Sequence, residues 1–248
     1  MKPAPATLGS ISDMQISGFT KDYRNQIIEQ VYGGDLNGRV WRFDVSDAVA
    51  ANWTVVNFAR LTDPGGTPQP VTTAPQIEVD LNNGTDRYVF IGTGRLLDPS
   101  ALTVPAIPQV QTMYALRDGT VTSIKTAGLP ILPRATMTAQ TFGVAAIPGG
   151  APNGWYEDLG AGQRIVVDVV ADLNVVAYAG TTVQPDPCLT SLPAYIYARE
   201  YVSAQSLVEV GGVPAANFYA SAGAVGLELV GLDSPTSSFP VMSIVYSK

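Results

Sequence analysis

The sequence predicts an all-β protein, a partial β-propeller with enlarged blades and long loops. Hydrophobic residues make up 46% of the 248 residues and charged residues only 14%, with 24 Gly and 19 Pro. This composition suits many short strands joined by turns better than long exposed helices. A second observation is a hairpin unit that recurs along the chain, since repeats spaced by tens of residues are typical of propellers.

The clearest copy of this unit lies near the start of the chain. An apolar strand, Val31 to Asp35, is followed by the pair Asn37-Gly38 and then by an alternating aromatic strand, Arg39 to Asp44. Asn-Gly adopts positive φ at little cost, so it fits a tight turn. The segment is therefore predicted to be a β-hairpin.

The same unit recurs with longer connections between its two strands. In each copy small residues follow the first strand, which lets neighbouring backbone approach closely, while the second strand carries bulky side chains. The second copy pairs Tyr88–Gly94 with Thr112–Leu116, the third pairs Val175–Thr181 with Tyr195–Ala198, and a fourth, weaker copy pairs Phe218–Leu232 with Ser243–Tyr246.

These hairpins have the strand and turn order of propeller blades of the quinoprotein type, in which neighbouring blades cover each other's apolar faces. Their second strands are spaced more widely than the roughly 40 to 50 residues of a simple blade. The additional length lies in insertions such as Asp63 to Ala74 and Asp98 to Gln111. We expect these loops to form the binding surface, since loops on a rigid scaffold commonly carry function.

About four such blades fit in the chain, at the lower limit of the four to eight blades of most propellers. We therefore expect residues 1–248 to form a single propeller-like domain that is the C-terminal part of a larger propeller. A preceding segment or another chain would complete it. An irregular β-sandwich of similar strands is the alternative fold.

The segment from Val31 to Asp44, VYGGDLNGRVWRFD, resembles a signature of PilY-type proteins of the type IV pilus tip. Three further segments agree with the family in the same order, and the resemblance extends from about Glu29 to about Ala198. These segments are Pro70–Pro75 with Val89–Leu97, Gly154–Val166, and Asp186–Cys188.

The resemblance implies a non-enzymatic propeller that acts in pilus biogenesis and surface adhesion. It implies minor pilins or other pilus components as partners, a host or abiotic surface as target, and a location at the cell surface after export through the periplasm. The signal for that export would lie outside this chain. The absence of histidine agrees with a non-enzymatic role, because it removes the usual general base and the commonest transition-metal ligand. We predict no catalytic residue and no cofactor.

The family places a calcium loop directly before its signature, on the segment from Lys21 to Glu29 of this chain. The ligand positions that the resemblance implies are Lys21, Tyr23, Asn25 and Glu29. A lysine and a tyrosine leave too few hard oxygen donors for a site that takes six to eight. We predict that this calcium site is degenerate.

A second candidate for calcium is the turn Asp80-x-Asn82-x-Gly84-x-Asp86, which places oxygen donors at alternate positions. It lacks a closing bidentate glutamate. Asn, Gly and Asp are also ordinary turn residues, so a turn that binds no metal is the favoured interpretation of Asp80, Asn82 and Asp86, and calcium binding is the weaker one.

Several other motifs have a structural as well as a functional interpretation. Gly92-Thr93-Gly94 is predicted to serve close blade packing rather than phosphate binding, since no third glycine follows at the dinucleotide spacing. Glu157 and Asp158 are predicted to point to opposite faces of a strand, where they cannot act as an acid–base pair.

Cys188 is predicted to be an unreactive thiol. The tryptophans Trp41, Trp53 and Trp155 are predicted to be core residues rather than glycan or quinone platforms.

Charge and hydropathy exclude other classes. The net charge is −7, and no basic run is present, so nucleic acid is not an expected partner. No stretch reaches the roughly 18 apolar residues that a membrane span requires. A quinoprotein-like dehydrogenase, which shares the blade pattern, and a purely structural propeller fragment are the alternative functions.

Overall fold

The computed structural model describes residues 14–22, 24–82, 84–97, 108–126, 131–141, 145–147, 151–183 and 192–229. Tyr23, residues 98–107 of the second insertion, Asp186 to Cys188 and the part of the fourth hairpin copy after residue 229 lie outside these ranges.

The described chain consists of short strands, with two single-turn 3-10 helices at Ala50–Asn52 and Arg134–Thr136. No helix in the described ranges is long and apolar enough to cross a membrane. The strands are β1 (Ile16–Phe19), β2 (Gln30–Gly34), β3 (Arg39–Asp44), β4 (Thr54–Arg60), β5 (Gln76–Val79), β6 (Asp86–Gly92), β7 (Thr112–Thr120), β8 (Leu132–Pro133), β9 (Thr138–Gln140), β10 (Gly154–Asp158), β11 (Gln163–Arg164), β12 (Val170–Asp172), β13 (Val175–Thr182), β14 (Ala194–Glu200), β15 (Val208–Val210), β16 (Val213–Ala215) and β17 (Phe218–Ala220).

The strands form three successive sheets and one small hairpin. The first sheet has the order β1-β2-β3-β4-β8, the second β5-β6-β7-β10-β9, and the third β11-β13-β14-β17 with β12 also paired to β13. Strands β15 and β16 form the separate hairpin. Most neighbours are antiparallel, and only β8 and β9 join their sheets in parallel. Each sheet is thus built mainly from strands that are consecutive in the chain, as propeller blades are.

The three sheets are arranged as blades around a common side. The second sheet lies between the other two, and its strand β5 contacts β1 of the first sheet and β12 of the third. Neighbouring sheets that contact each other in chain order are the arrangement of propeller blades. The all-β, partial-propeller fold predicted from the sequence is confirmed, and no sheet of the described part closes on itself.

The first predicted hairpin is confirmed, and its strands pair with Gly33 opposite Trp41. Its turn depends on Gly38, which has a φ of 68° and whose α-carbon faces the carbonyl oxygen of Leu61 too closely for a side chain. The carboxylate of Asp35 accepts hydrogen bonds from the backbone of Asn37 at 2.8 Å and of Arg39 at 3.0 Å, which fixes the turn from inside.

The prediction of a fourth hairpin copy beginning at Phe218 is wrong for its described part. Phe218 to Ala220 form β17, which pairs with β14 and is the last strand of the third sheet among the described residues. A short aromatic strand has the same sequence pattern whether it opens a new blade or completes the previous one, because only tertiary pairing decides its sheet.

Two apolar cores lie between the three sheets. Between the first and second sheets, Tyr32 and Phe58 pack with Tyr114. Between the second and third sheets, Phe90 and Trp155 pack with other buried aromatics, and the indole of Trp155 donates to the carbonyl of Tyr201 at 2.7 Å. The prediction of a core position is therefore confirmed for Trp155.

The core prediction is wrong for Trp53, whose side chain is 52% exposed, and Trp41 is only partly buried. Trp53 follows a 3-10 helix at the start of β4, and its indole donates to the carbonyl of Asp47 at 2.8 Å. Trp41 lies in β3 and Trp53 directly precedes β4 of the first sheet, which among the described residues has a neighbouring sheet on one side only.

Close packing of the blades at Gly92 is confirmed. A β-carbon built on Gly92 would lie 2.3 Å from the side chain of Ile165, which precedes the third sheet's strand β12. The equivalent glycine of the third hairpin copy behaves differently. A β-carbon on Gly180 would meet the side chain of Gln163 in the neighbouring strand of the same sheet.

Candidate functional site

The two insertions predicted to carry function meet on one side of the molecule. In the described part, Gln109 donates to the carboxylate of Asp63 at 3.2 Å and to the carbonyl of Pro68 at 3.0 Å. We call residues 62–69 together with 108–111 the loop surface. It joins the first and second sheets, because residues 62–69 follow β4 and residues 108–111 precede β7.

Asp63 organises the exposed part of the loop surface. Its carbonyl accepts from Gly66 at 2.9 Å, and its carboxylate accepts from the backbone of Thr67 at 2.9 Å. Partial burial by itself would raise the pKa of Asp63, but the hydrogen bonds from Thr67 and Gln109 outweigh it and lower the pKa below the usual value. The carboxylate form therefore holds the loop in shape.

Gln69 anchors the loop surface to the buried strand β7. Its side chain is fully buried and donates to the carbonyl of Val110 and to the hydroxyl of Thr112, both at 2.7 Å. It also accepts from the hydroxyl of Tyr114 at 2.8 Å. Burial is the main reason why the pKa of Tyr114 rises to about 12, so this hydroxyl remains protonated and can donate.

The second calcium candidate forms the turn between β5 and β6. The backbone of Asp80 donates to the carbonyl of Asp86 at 2.8 Å, and its carboxylate accepts from the backbone of Asn82 at 2.9 Å. Asp80 is buried, and burial raises its pKa. The carboxylate of Asp86 forms an ion pair with Arg117 at 2.5 Å. The geometry is that of a turn closed by its own hydrogen bonds, and calcium binding there stays a prediction.

The segment that matches the family's calcium loop contains an ion pair between a lysine and a glutamate. The ammonium of Lys21 lies 2.5 Å from the carboxylate of Glu29, the first and last of the implied ligand positions. The side chain of Asn25 accepts from the backbone of Ile27 at 2.9 Å. Within the described ranges no group of three or more acidic, cysteine or histidine residues could hold a metal ion.

Buried ion pairs link the sheets, and sequence reasoning did not find them. Between the second and third sheets, the guanidinium of Arg199 contacts both carboxylate oxygens of Glu157, at 2.7 and 2.8 Å, and both side chains are fully buried. The hydroxyl of Tyr178 donates to the same carboxylate. Burial and then the charge of Glu157 raise the pKa of Tyr178, which keeps the hydroxyl protonated.

A similar group lies between the first and second sheets. Arg42 of β3 contacts both carboxylate oxygens of Asp118 of β7, at 2.7 and 2.8 Å. The hydroxyl of Tyr32 donates to Asp118 at 2.6 Å. A lone Arg or Asp in a strand gives no signal of such a pair in the sequence, because the partners are separated by 76 residues along the chain.

The predicted separation of Glu157 and Asp158 is confirmed. Glu157 faces the third sheet, whereas Asp158 lies on the other face of β10 and pairs with Arg134 at 2.6 Å. The guanidinium of Arg134 also stacks over Tyr156, 3.8 Å from the ring centre. The two adjacent carboxylates therefore serve different contacts.

The chain has relatives among known proteins. It is 30% identical over 172 residues to a type IV pilus biogenesis factor, a PilY1 homolog of Xylella fastidiosa. Its fold matches the crystal structure of the Pseudomonas aeruginosa PilY1 C-terminal domain with a TM-score of 0.62 at 17% sequence identity. The resemblance to the C-terminal domain of the PilY family is confirmed. No family model matches the sequence.

The similarity covers only part of these PilY proteins. The alignment with the Xylella protein includes 65% of this chain but 13% of that protein. The structural match includes 82% of this chain and 53% of the Pseudomonas domain. At 17% identity the second match supports the shared fold and does not transfer residue roles.

Proposed function

We propose that this PilY-related chain is a non-enzymatic part of a type IV pilus tip-associated protein that acts in pilus biogenesis and surface adhesion. Minor pilins or other pilus components are the proposed partners, a host or abiotic surface is the proposed target, and the cell surface is the proposed location after export through the periplasm. The observation that carries this proposal is the 172-residue similarity to a pilus biogenesis factor.

The loop surface is the proposed contact region. Its outer residues, such as Pro64 and Thr67, are exposed, while Gln69 ties its backbone to buried strands. A binding surface benefits from this combination, because the residues that contact a partner are accessible and the loop loses little conformational freedom on binding.

The use of the buried ionisable groups supports a scaffold rather than a catalyst. The carboxylates of Glu157 and Asp118 are each held by an arginine and a tyrosine from another sheet. A general base requires a carboxylate that can reach a substrate proton. These two carboxylates are enclosed between sheets. Their contribution is to hold neighbouring sheets in a fixed position relative to each other.

The pilus role is tested by deleting the gene in its host and counting surface pili and attached cells. We expect both numbers to fall and to recover when the wild-type gene is restored. A deletion strain with normal pili and normal attachment would contradict the proposal. The role of the loop surface is tested separately, with the double variant Pro64→Arg and Thr67→Arg.

We expect that double variant to fold normally and to lower pilus number or attachment. Val225→Arg is the control, since Val225 is 72% exposed and follows Ala224, which packs against the third sheet. If the loop variant behaves like the control, the loop surface is not the contact region.

Stoichiometric uptake of a quinone cofactor by the purified protein, measured by absorbance and mass, would instead favour the dehydrogenase alternative.

A further inference from the structure

A cleft of about 240 Å³ lies where the second and third sheets meet the last described residues of the chain. It is lined by Gln76 at the start of β5, by strand β12 from Val170 to Asp172, and by the segment from Leu227 to Leu229. Strands β5 and β12 contact each other, so the cleft runs along the junction of the two sheets. It is separate from the loop surface, which joins the first and second sheets.

The walls of the cleft are largely apolar and are held by the third sheet. Leu227 packs against the buried cluster that contains Ile196, and Leu229 packs against the cluster that contains Ala198. Val170 is partly buried on the neighbouring wall. Walls of this kind fit the methylene chain of a long side chain, which buries its stem while its charged end stays near polar groups.

Three carboxylates surround the cleft. Asp172 and Glu228 line it from two different walls, and both residues are exposed. The carboxylate of Glu78 lies beside it, where it accepts a hydrogen bond from the side chain of Gln76 at 3.0 Å. Within the described ranges none of the three carboxylates forms an ion pair.

The electrostatic environment of Glu78 shows that negative charge accumulates here without compensation. Burial is the main reason why the pKa of Glu78 is raised, and the negative charge of Asp172 raises it further, although the hydrogen bond from Gln76 acts in the opposite direction. A cation in the cleft would lower the electrostatic free energy of these carboxylates, because an opposite charge nearby favours the ionised form.

We propose that this cleft binds a lysine side chain of a partner protein, with the methylene chain against the apolar walls and the ammonium between Asp172 and Glu228. A lysine fits better than an arginine, because an ammonium on a flexible stem can donate to carboxylates on two walls, whereas a guanidinium favours the two oxygens of one carboxylate. A metal ion is not the expected occupant, since no acidic group in the described part of the chain could hold one. The inference does not depend on the proposed pilus role.

Fluorescence anisotropy tests the proposal with the full chain of residues 1–248. The probe is the labelled peptide Ala-Lys-Ala-Lys-Ala, acetylated and amidated at its ends, and Ala-Gln-Ala-Gln-Ala is its neutral counterpart. We expect the lysine peptide to bind and the glutamine peptide not to bind. An increase in ionic strength from about 0.01 M to about 0.15 M should weaken the binding, because partly exposed charges are screened by salt.

Two variants then locate the binding. Asp172→Asn and Glu228→Gln should each weaken binding of the lysine peptide about threefold to fivefold, the effect of one partly exposed ion pair. Asp47→Asn and Glu209→Gln are the matched controls, since each removes one exposed charge outside the cleft, and they should change the affinity by less than about twofold. Glu228 is exposed and forms no ion pair within the described ranges, so thermal unfolding should show that Glu228→Gln folds like the wild type.

Equal effects of the cleft variants and the controls, or no binding of the lysine peptide at low ionic strength, would overturn the proposal. Free cadaverine carries the same charge as the peptide. If it displaced the labelled peptide more strongly than unlabelled peptide does, the occupant would be a free polyamine and not a protein side chain. Self-association of the chain that Glu228→Gln abolishes, measured by sedimentation, would assign the cleft to a second copy and would also overturn it.

Discussion

Glu157→Gln should destabilise the protein strongly, because it removes the anion that neutralises Arg199 between the second and third sheets. Both side chains are fully buried, and the carboxylate accepts hydrogen bonds from Arg199 through two nitrogens and from Tyr178. Removal of one partner from a buried pair leaves an uncompensated charge and typically costs about 3–5 kcal/mol. We expect a loss of this size in the free energy of unfolding.

Urea unfolding followed by circular dichroism measures this effect, with the change taken from the midpoint at constant m-value. The double variant Glu157→Met with Arg199→Met should cost less than the sum of the single variants, because no charge remains buried. Glu29→Gln is the matched control. Its partner Lys21 is half exposed, so the expected loss is only about 0–1 kcal/mol. A loss below about 1 kcal/mol for Glu157→Gln, or additive costs in the double variant, would refute the reasoning.

Three further predictions concern the calcium candidates and the blade contact. Burial raises the pKa of Asp80 in the folded protein above the pKa of about 4 that an aspartate has in the unfolded chain. The free energy of unfolding therefore falls as the pH rises from the unfolded pKa through the folded pKa. Asp80→Asn should therefore leave the melting temperature at pH 7 unchanged or higher, and a loss of stability or of calcium binding would indicate a metal site instead. Calorimetric titration with calcium should show no tight binding at Lys21 to Glu29, and tight binding abolished by Glu29→Ala would contradict the degenerate loop. Gly92→Ala should cost about 1–3 kcal/mol in urea unfolding because its β-carbon collides with Ile165, and Ile165→Ala in the same chain should recover part of that loss only if the collision is the cause.

The local elements were accessible from the sequence because their causes are local. The turn at Asn37-Gly38 and the strands on either side of it follow from positive φ and from alternation of apolar residues. The close contact at Gly92 was also predictable, since a glycine at the end of an apolar strand commonly marks a close backbone approach.

The errors concern which face or sheet an element joins. Trp53 was expected in the core, but its side chain is 52% exposed just before β4 of the first sheet. Phe218 to Ala220 were expected to open a blade and instead complete one. An aromatic residue in a strand favours burial on average, yet its actual burial depends on the sheet that packs against it.

The sequence by itself determined the all-β class, the first hairpin, the PilY resemblance and the lysine in the segment that matches the family's calcium loop, because each depends on residues that are near one another in the chain. Only the tertiary structure decided that Arg199 pairs with Glu157, that residues 62–69 and 108–111 share one surface, and that Trp53 is exposed whereas Trp155 is buried. These features depend on which sheet faces which. A one-residue change of register reverses the side on which every residue of a strand points, and the pattern of apolar residues alone does not say what lies opposite.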